Sequence, residues 1–388
     1  MRPSHFALNL NFNNAIPMQP GSEIFTTFFS FLLFCTVCNA QFQDEYYILK
    51  EDTTVSPGEL NLYLNGSGFF NNNEFFGSGI KGYTLIGNNF QPVLEYNFTK
   101  EFNLRAGTHL LWYHGQDKLR KILPFFSINY KLLPSLKIRI GSYNQGACLR
   151  LPEPLYKFEN RFASLTGNGI QIIKTGNIWE SVTWLNWLTF IEPGDPFREE
   201  FVFGHSGKIR LFENGRDLID LPVYLLANHK GGQINHNDQP VETRTDLGTG
   251  INWTRHMNLS LIDRFSLLAH YYYENGIEPN PPGNAFYGYG EMNADLFSLG
   301  MGYFHEKNWE SILGEPLFFS PGVIDQDEDH IRDLIIFKAG FHTSITSNSS
   351  LLLRFEGYYD LSINKFQYTY GIHMILNEWI NIFKGNSE

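Results

Sequence analysis

The chain has 388 residues, of which 18% are charged and 16% are aromatic. Soluble domains carry about 25% charged residues, so this composition is poor in charge and rich in rings. The formal net charge of -11 argues against nucleic acid as a partner, because a polyanion would be repelled. Alternation of apolar and polar residues along strands produces such a composition.

The first element is an apolar segment, IFTTFFSFLLFCTVCNAQ, which begins at Ile24. Its apolar part is shorter than the roughly 20 residues that a membrane-spanning helix needs. Cys38 and Ala40 place small residues at the -3 and -1 positions of a signal-peptidase site. We therefore predict a signal peptide over residues 1–40, cleaved after Ala40, and a short periplasmic N-terminal segment over residues 41–57.

From Gly58 onward, apolar and polar residues alternate with the period of a β-strand. In FNLRAGTHLLWYHG, which begins at Phe102, one parity is apolar apart from Thr108, and the other parity holds Arg105 and His109. The same alternation recurs in ELNLYLN, QPVLEYNF, SLKIRIGSY, GHSGKIRLF, DLIIFKAGFHT, SLLLRFEGYYD and KFQYTYGIHM.

Short and long connections between these strands alternate along the chain. A soluble sandwich or propeller, the alternative fold, has no reason to sort its loops in this way. A transmembrane barrel does, because it has short periplasmic turns and longer external loops. We predict an all-β fold: a transmembrane antiparallel β-barrel of about 16 strands over residues 58–376, followed by a C-terminal tail over residues 377–388.

In this architecture the chain resembles Gram-negative outer-membrane β-barrels of the porin type, from Gly58 to Met374. The resemblance contains no motif specific to a named family. It implies an outer-membrane location and a transport channel. Barrels of this type end on an aromatic residue, whereas Phe383 is followed here by five more residues.

If the apolar parity faces lipid, the polar parity lines a lumen. Rings of like charge in a lumen bias the passage of ions, although inward charges can also be merely solvated. The predicted pore-lining residues are Arg105, His109, Lys131, Lys137, Arg139, Lys208, Arg210, Lys338 and Arg354.

The segment from Asn144 to Ser164 would be the third external loop. Porins commonly fold their third loop into the barrel to narrow it, so the resemblance implies a constriction loop with Arg150, Glu153 and Glu159 as its charged residues. A loop packed on the surface is the alternative.

Another predicted external loop, DQDEDHIRD, begins at Asp325 and has alternating carboxylates. Asp325, Asp327 and Asp329 could bind Ca²⁺ through oxygen ligands, or share divalent ions with lipopolysaccharide phosphates. A solvated acidic loop is the alternative, and no other cofactor is expected.

The sequence contains no convincing match to a known hydrolase motif, so we predict that the protein is not an enzyme. His342 and Ser344 have the His-x-Ser spacing of the outer-membrane phospholipase, but they lie on the polar parity near a short turn. We predict a porin-like channel for passive diffusion of small hydrophilic solutes or sugars, with outer-membrane lipid and lipopolysaccharide as its surroundings. Two alternatives stay open: a non-conducting barrel with a structural or polysaccharide-binding role, and a barrel lipase.

Overall fold

The computed structural model describes residues 42, 44–48, 56–77, 80–232, 234, 239–257, 262–277, 280–324 and 330–384. Sixteen antiparallel strands form a closed barrel, as the sequence predicts. The strands are β1 Leu60–Glu74, β2 Tyr83–Asn97, β3 Phe102–Tyr113, β4 Lys121–Leu133, β5 Leu136–Asn144, β6 Thr166–Lys174, β7 Trp179–Thr189, β8 Glu199–Glu213, β9 Asp217–Gly231, β10 Glu242–His256, β11 Arg264–Glu274, β12 Gly283–Asn293, β13 Phe297–Lys307, β14 Ile331–Thr346, β15 Ser349–Asp360 and β16 Lys365–Phe383.

The barrel closes between its first and last strands. β16 pairs with β15 on one side and with β1 on the other, where Leu60 lies opposite Phe383. The last strand continues to Phe383, past the predicted barrel boundary at residue 376, because residues 377–383 find partners along β1.

The two ends of the barrel differ in the length of the connections that they carry. We call the end with residues 98–101, 134–135, 175–178, 214–216, 257–263, 294–296 and 347–348 the short-turn end. The opposite, long-loop end carries residues 75–82, 114–120, 145–165, 190–198, 232–241, 275–282, 308–330 and 361–364. In outer-membrane barrels the longer loops are external, so the long-loop end faces the outside.

The outer face of the barrel is apolar. In β4, Phe126 is 52% exposed whereas the next residue, Ser127, is 1% exposed. Side chains of successive strand residues point to opposite faces, so the apolar parity faces outward and the polar parity inward. Among the described residues, every helix is too short or too polar to cross a bilayer.

Two long connections fold into the barrel and pack in its interior. Residues 145–165 carry two 3-10 helices, Gly146–Leu149 and Glu153–Leu155, and a one-turn α-helix, Asn160–Ala163. Residues 308–324 carry a 3-10 helix, Pro316–Phe318, and a one-turn α-helix, Pro321–Ile324. We call these connections the first and the second inner loop.

The inner loops pack against apolar side chains on the inward face of the wall. Leu155 of the first loop and Phe318 of the second are fully buried in one cluster with Trp184 of β7. The Trp184 ring lies over Gly204 of β8, where a Cβ atom would come within 2.1 Å of Cζ2. The interior is therefore a packed core at this level, and its inward parity is only partly polar.

Candidate functional site

The nine predicted pore-lining residues share the inward-facing parity of their strands. Most of them form ion pairs or hydrogen bonds with neighbouring side chains. The buried Arg105 of β3 bonds to Glu95 of β2 at 2.5 Å, and the buried Arg139 of β5 donates to Gln171 at 3.1 Å. His109 is also buried, Lys208 and Arg210 are half-buried, Lys131 is exposed, and Lys137 is half-buried near the short-turn end.

Lys338 and Arg354 form the centre of a buried ionic group, which we call the central ion cluster together with Glu153 and Glu356. Lys338 contacts both carboxylates, with 3.3 Å between its Nζ and Glu356 Oε2. Arg354 pairs with Glu356, and Tyr358 donates a hydrogen bond to Glu153 at 2.9 Å. The cluster ties the first inner loop to β14 and β15.

The other charged residues predicted for the constriction loop have nearer partners. Arg150 pairs with Glu180 of β7 at 2.7 Å. Glu159 pairs with Lys157 of its own loop at 2.9 Å and accepts a hydrogen bond from Tyr83 at 2.6 Å. The loop lies inside the barrel, and its charges are bonded to loop and wall.

The described part of the N-terminal segment also lies inside the barrel. It forms a 3-10 helix, Asp44–Tyr47, and Asp44 pairs with the buried Arg161 of the first inner loop, with 2.8 Å between Nη2 and Oδ2. Arg354 donates to the carbonyl of Phe42 at 2.9 Å. This segment and the first inner loop lie together in the centre of the barrel.

The two inner loops contact each other. The amide of Lys157 donates to the carbonyl of Leu313 at 2.8 Å. Glu315 of the second loop is buried beside this contact, and burial raises the pKa of its carboxyl to about 8, with the charges of Glu153 and Glu159 adding to the effect against that of Lys157.

The predicted calcium ligands Asp325, Asp327 and Asp329 lie outside the described residues, so the calcium site stays a prediction. Within the part of the chain that the structure describes, no group of three or more His, Cys, Asp or Glu side chains is arranged to hold a metal ion.

His342 and Ser344 lie on the inward parity of β14, near the short-turn end. The His342 ring is 4.6 Å from that of Tyr46 in the N-terminal segment, measured between centroids. Both residues therefore lie on the parity opposite the lipid-facing one.

A histidine–carboxylate pair lies on the outward face at the long-loop end. His305 of β13 stands between Phe304 and Glu306, which are fully buried on the inward side. Its Nδ1 is 2.8 Å from Oδ1 of Asp333 on β14, and Tyr303 also donates to that oxygen. We call Tyr303, His305 and Asp333 the rim triad.

The rim triad is accessible from the lipid side. The His305 side chain is 44% exposed, and no hydrogen bond to its Nε2 is found among the described residues. The amide of Asp333 donates to Oγ of the exposed Ser362 at 3.1 Å, which fixes the backbone beside the carboxylate. A neutral imidazole with Nδ1–H on a carboxylate has its Nε2 lone pair available as a general base.

A second outward-facing group lies on β1–β3, at the same end. His114 Nε2 is 2.7 Å from the Nδ2 of Asn88. Nearby, Thr84 donates to Asn72, which donates to Glu74 at 2.9 Å. Here the ring nitrogen of the histidine contacts an amide, which cannot stabilise an imidazolium as a carboxylate does.

The rim triad is not among the residues predicted from the sequence, although the sequence carries a signal for it. Asp333 falls on the same parity as Ile335 and Phe337 of the segment DLIIFKAGFHT, that is, on the lipid-facing side. A carboxylate on this parity, at the end of a strand, is a departure from the pattern. Searching the apolar parity for such departures would have found it.

Solved structures confirm the architecture. The outer-membrane protein OprD from Pseudomonas aeruginosa matches with a TM-score of 0.50 and 9% identity, over 89% of this chain and 97% of that one. Pseudomonas aeruginosa OpdL matches with a TM-score of 0.50 and 9% identity, over 84% and 99%. At this identity the likeness shows the fold alone: an outer-membrane barrel of the porin type.

No curated protein matches the sequence. A family model described as "Lipid A 3'-O-deacylase-type" matches residues 50–385. The match overturns the expectation that the protein is not an enzyme, which had rested on the absence of known hydrolase motifs. Since the model spans the whole barrel, the chain belongs to the lipid A 3'-O-deacylase-type family.

Proposed function

We propose that this protein is an outer-membrane esterase that removes an ester-linked acyl chain from a lipid A-type glycolipid, with His305 as general base and Asp333 as the residue that orients it. The observation that carries the proposal is the 2.8 Å contact between His305 Nδ1 and Asp333 Oδ1 on the outward face of the barrel. The family description supplies the substrate class.

The position of the rim triad suits this substrate. His305 is two residues from the end of β13, and Asp333 is two residues from the start of β14. Both therefore lie at the external rim, where acyl tails meet sugar headgroups. The ester bonds of a glycolipid in the outer leaflet lie at this same depth.

The reaction follows from the acid–base properties of the pair. His305 Nε2 takes a proton from a water molecule as the oxygen of that water attacks the ester carbonyl carbon. Asp333 stabilises the imidazolium that forms. When the tetrahedral intermediate collapses, the bond between the carbonyl carbon and the sugar oxygen breaks, and the imidazolium returns its proton to that oxygen. The products are a free fatty acid and a sugar hydroxyl.

The test is hydrolysis of lipid A in proteoliposomes, followed by mass spectrometry for loss of one acyl chain. We expect His305→Ala to lower the rate by about 10²- to 10⁴-fold, the usual contribution of a general base. Asp333→Asn should lower it less, because the imidazole stays in place.

His114→Ala is the matched control, because it removes another outward-facing histidine at the same end whose partner is not a carboxylate, and its rate should equal that of the wild type. Migration of heated and unheated samples in electrophoresis checks that each variant folds. A His305→Ala rate within twofold of the wild type would refute the role of His305. If His114→Ala abolishes hydrolysis instead, the active site is on β1–β3.

Passive diffusion of small hydrophilic solutes is a second candidate function. It is favoured by a cavity of 470 Å³ inside the lumen, which Arg150, Lys208 and Arg210 border on one side. Because the first inner loop and the N-terminal segment lie in the centre, passage would require these to move. Conductance steps of the wild type in planar bilayers would support a channel, and a silent bilayer with folded protein would exclude it.

Export through a cleaved signal peptide belongs to the same proposal, since an external active site requires translocation. Residues 1–41 lie outside the described residues. N-terminal sequencing of the membrane-inserted protein should return Gln41 as the first residue, and retention of Cys38 would contradict cleavage after Ala40.

A further inference from the structure

The cavity inside the barrel is separate from the rim triad. Its volume is 470 Å³, within the range of about 300–1,000 Å³ that small-molecule sites occupy. Its wall residues include Arg210, Leu218, His256 and Arg264, which lie close to the ends of β8–β11 at the short-turn end. The first inner loop and the N-terminal segment form its opposite side.

The chemistry of the lining is divided between two halves. Leu218, Pro222, Tyr224 and Leu268 supply an apolar surface on β9 and β11. Arg150, Lys208 and Arg210 supply a basic surface on the first inner loop and β8. Glu180 and Asp220 lie on this same side, so a ligand that combines an apolar body with a negative group fits only where a cation is incompletely neutralised.

The ion pairs of Lys208 are longer than those of its neighbours Arg150 and Arg210. Glu180 is 2.7 Å from Arg150, and Asp220 bonds closely to Arg210. Lys208 is 3.8 Å from each of these carboxylates, beyond hydrogen-bond distance, and its side chain is 38% exposed. Asp44, the other carboxylate of the lining, is already bonded to Arg161.

We propose that this cavity binds a small amphiphilic anion, a carboxylate or a phosphate monoester with an apolar body, whose charged group is held by Lys208 and whose body packs on Tyr224 and Leu268. Because its wall residues on β8–β11 lie near the short-turn end, we expect its ligand to enter from the periplasm. This binding site is distinct from the proposed esterase site, which acts on lipid at the opposite end of the barrel and on its outer surface.

The test is calorimetric titration of the full-length protein in lipid nanodiscs with phenyl phosphate and, separately, phenylacetate. Benzyl alcohol and benzylamine serve as the neutral and cationic controls. We expect one or both anions to bind, and the one that binds more tightly identifies the anionic group. Absence of binding for both anions, or equal binding of benzyl alcohol, would overturn the proposal.

Lys208→Met should weaken anion binding at least tenfold, and Lys208→Arg should retain most of it. Lys131→Met is the matched control, because Lys131 faces inward at the same end but does not line the cavity. Leu268→Trp, which fills the apolar half, provides a second variant if Lys208→Met does not fold, and it should abolish binding. Unchanged affinity in the folded variants would refute the site, whereas hydrolysis of lipid A should be the same in all of them.

Discussion

Lys338→Met tests whether the central ion cluster holds the first inner loop in the barrel. Lys338 lies between the carboxylates of Glu153 and Glu356, and its side chain is 2% exposed. At the 3.3 Å that separates its Nζ from Glu356, two unit charges interact by about 5 kcal/mol at an effective dielectric constant of about 20. Glu356 keeps Arg354, but Glu153 is left with the Tyr358 hydroxyl. Removal of one partner of a buried pair costs about 3 to 5 kcal/mol, and we expect that loss of unfolding free energy.

The assay is urea unfolding in lipid vesicles, followed by the electrophoretic shift between folded and unfolded barrel. The double variant Lys338→Met/Glu153→Gln should recover most of the loss, because it removes the carboxylate that the single variant leaves unpaired. If Lys338→Met lies within 1 kcal/mol of the wild type, or if the double variant is no more stable than the single one, the cluster does not anchor the loop.

Three further variants test the packed interior by the same unfolding assay. The pKa of Glu315 is raised to about 8, so between about pH 5 and pH 8 the folded state keeps a proton that the unfolded chain loses. This group therefore makes the free energy of unfolding fall as the pH rises through that window, by at most about 1.4 kcal/mol per pH unit. Glu315→Gln should flatten this slope, and an unchanged slope would contradict the argument. Gly204→Ala would place a Cβ against the Trp184 ring and should cost about 1–3 kcal/mol; a neutral effect would mean that the ring moves freely. Asp44→Asn leaves the 3%-exposed guanidinium of Arg161 without its carboxylate and should cost about 3 kcal/mol, unless the N-terminal segment is dispensable.

The barrel could be predicted from the sequence because lipid imposes a regular pattern. Every second residue of each strand must be apolar, and this period of two is visible in segments such as the one from Phe102 to Gly115. The strand segments and the alternation of short and long connections then indicated about 16 strands and which end of the barrel carries the external loops. Neither inference needs any knowledge of which residues touch each other.

Periodicity did not predict the packed lumen; the position of the first inner loop inside the barrel was implied only by the resemblance to porins, and the second inner loop was not anticipated. The inner loops have no periodicity, and their position depends on contacts between residues far apart in the chain, such as Glu153 and Lys338, which are separated by 185 positions. The inward parity therefore looked like the lining of a pore, although much of it is the partner of a loop. The prediction that the protein is not an enzyme was wrong because it rested on contiguous motifs, whereas a pair such as His305 and Asp333 meets only when β13 and β14 pair.

The interior packing also explains how a lipid-facing pair of residues can be held in a fixed geometry. The residues next to the rim triad point inward: Phe304 lies 4.8 Å from the Phe318 ring of the second inner loop, and Arg332 donates to the carbonyl of Leu317 at 2.7 Å. A backbone fixed from the inside leaves little freedom to the side chains that it presents outside. An esterase that takes its substrate from the surrounding lipid has no need of an open lumen, so the space that a channel would keep clear can be filled to brace the wall at the reaction site.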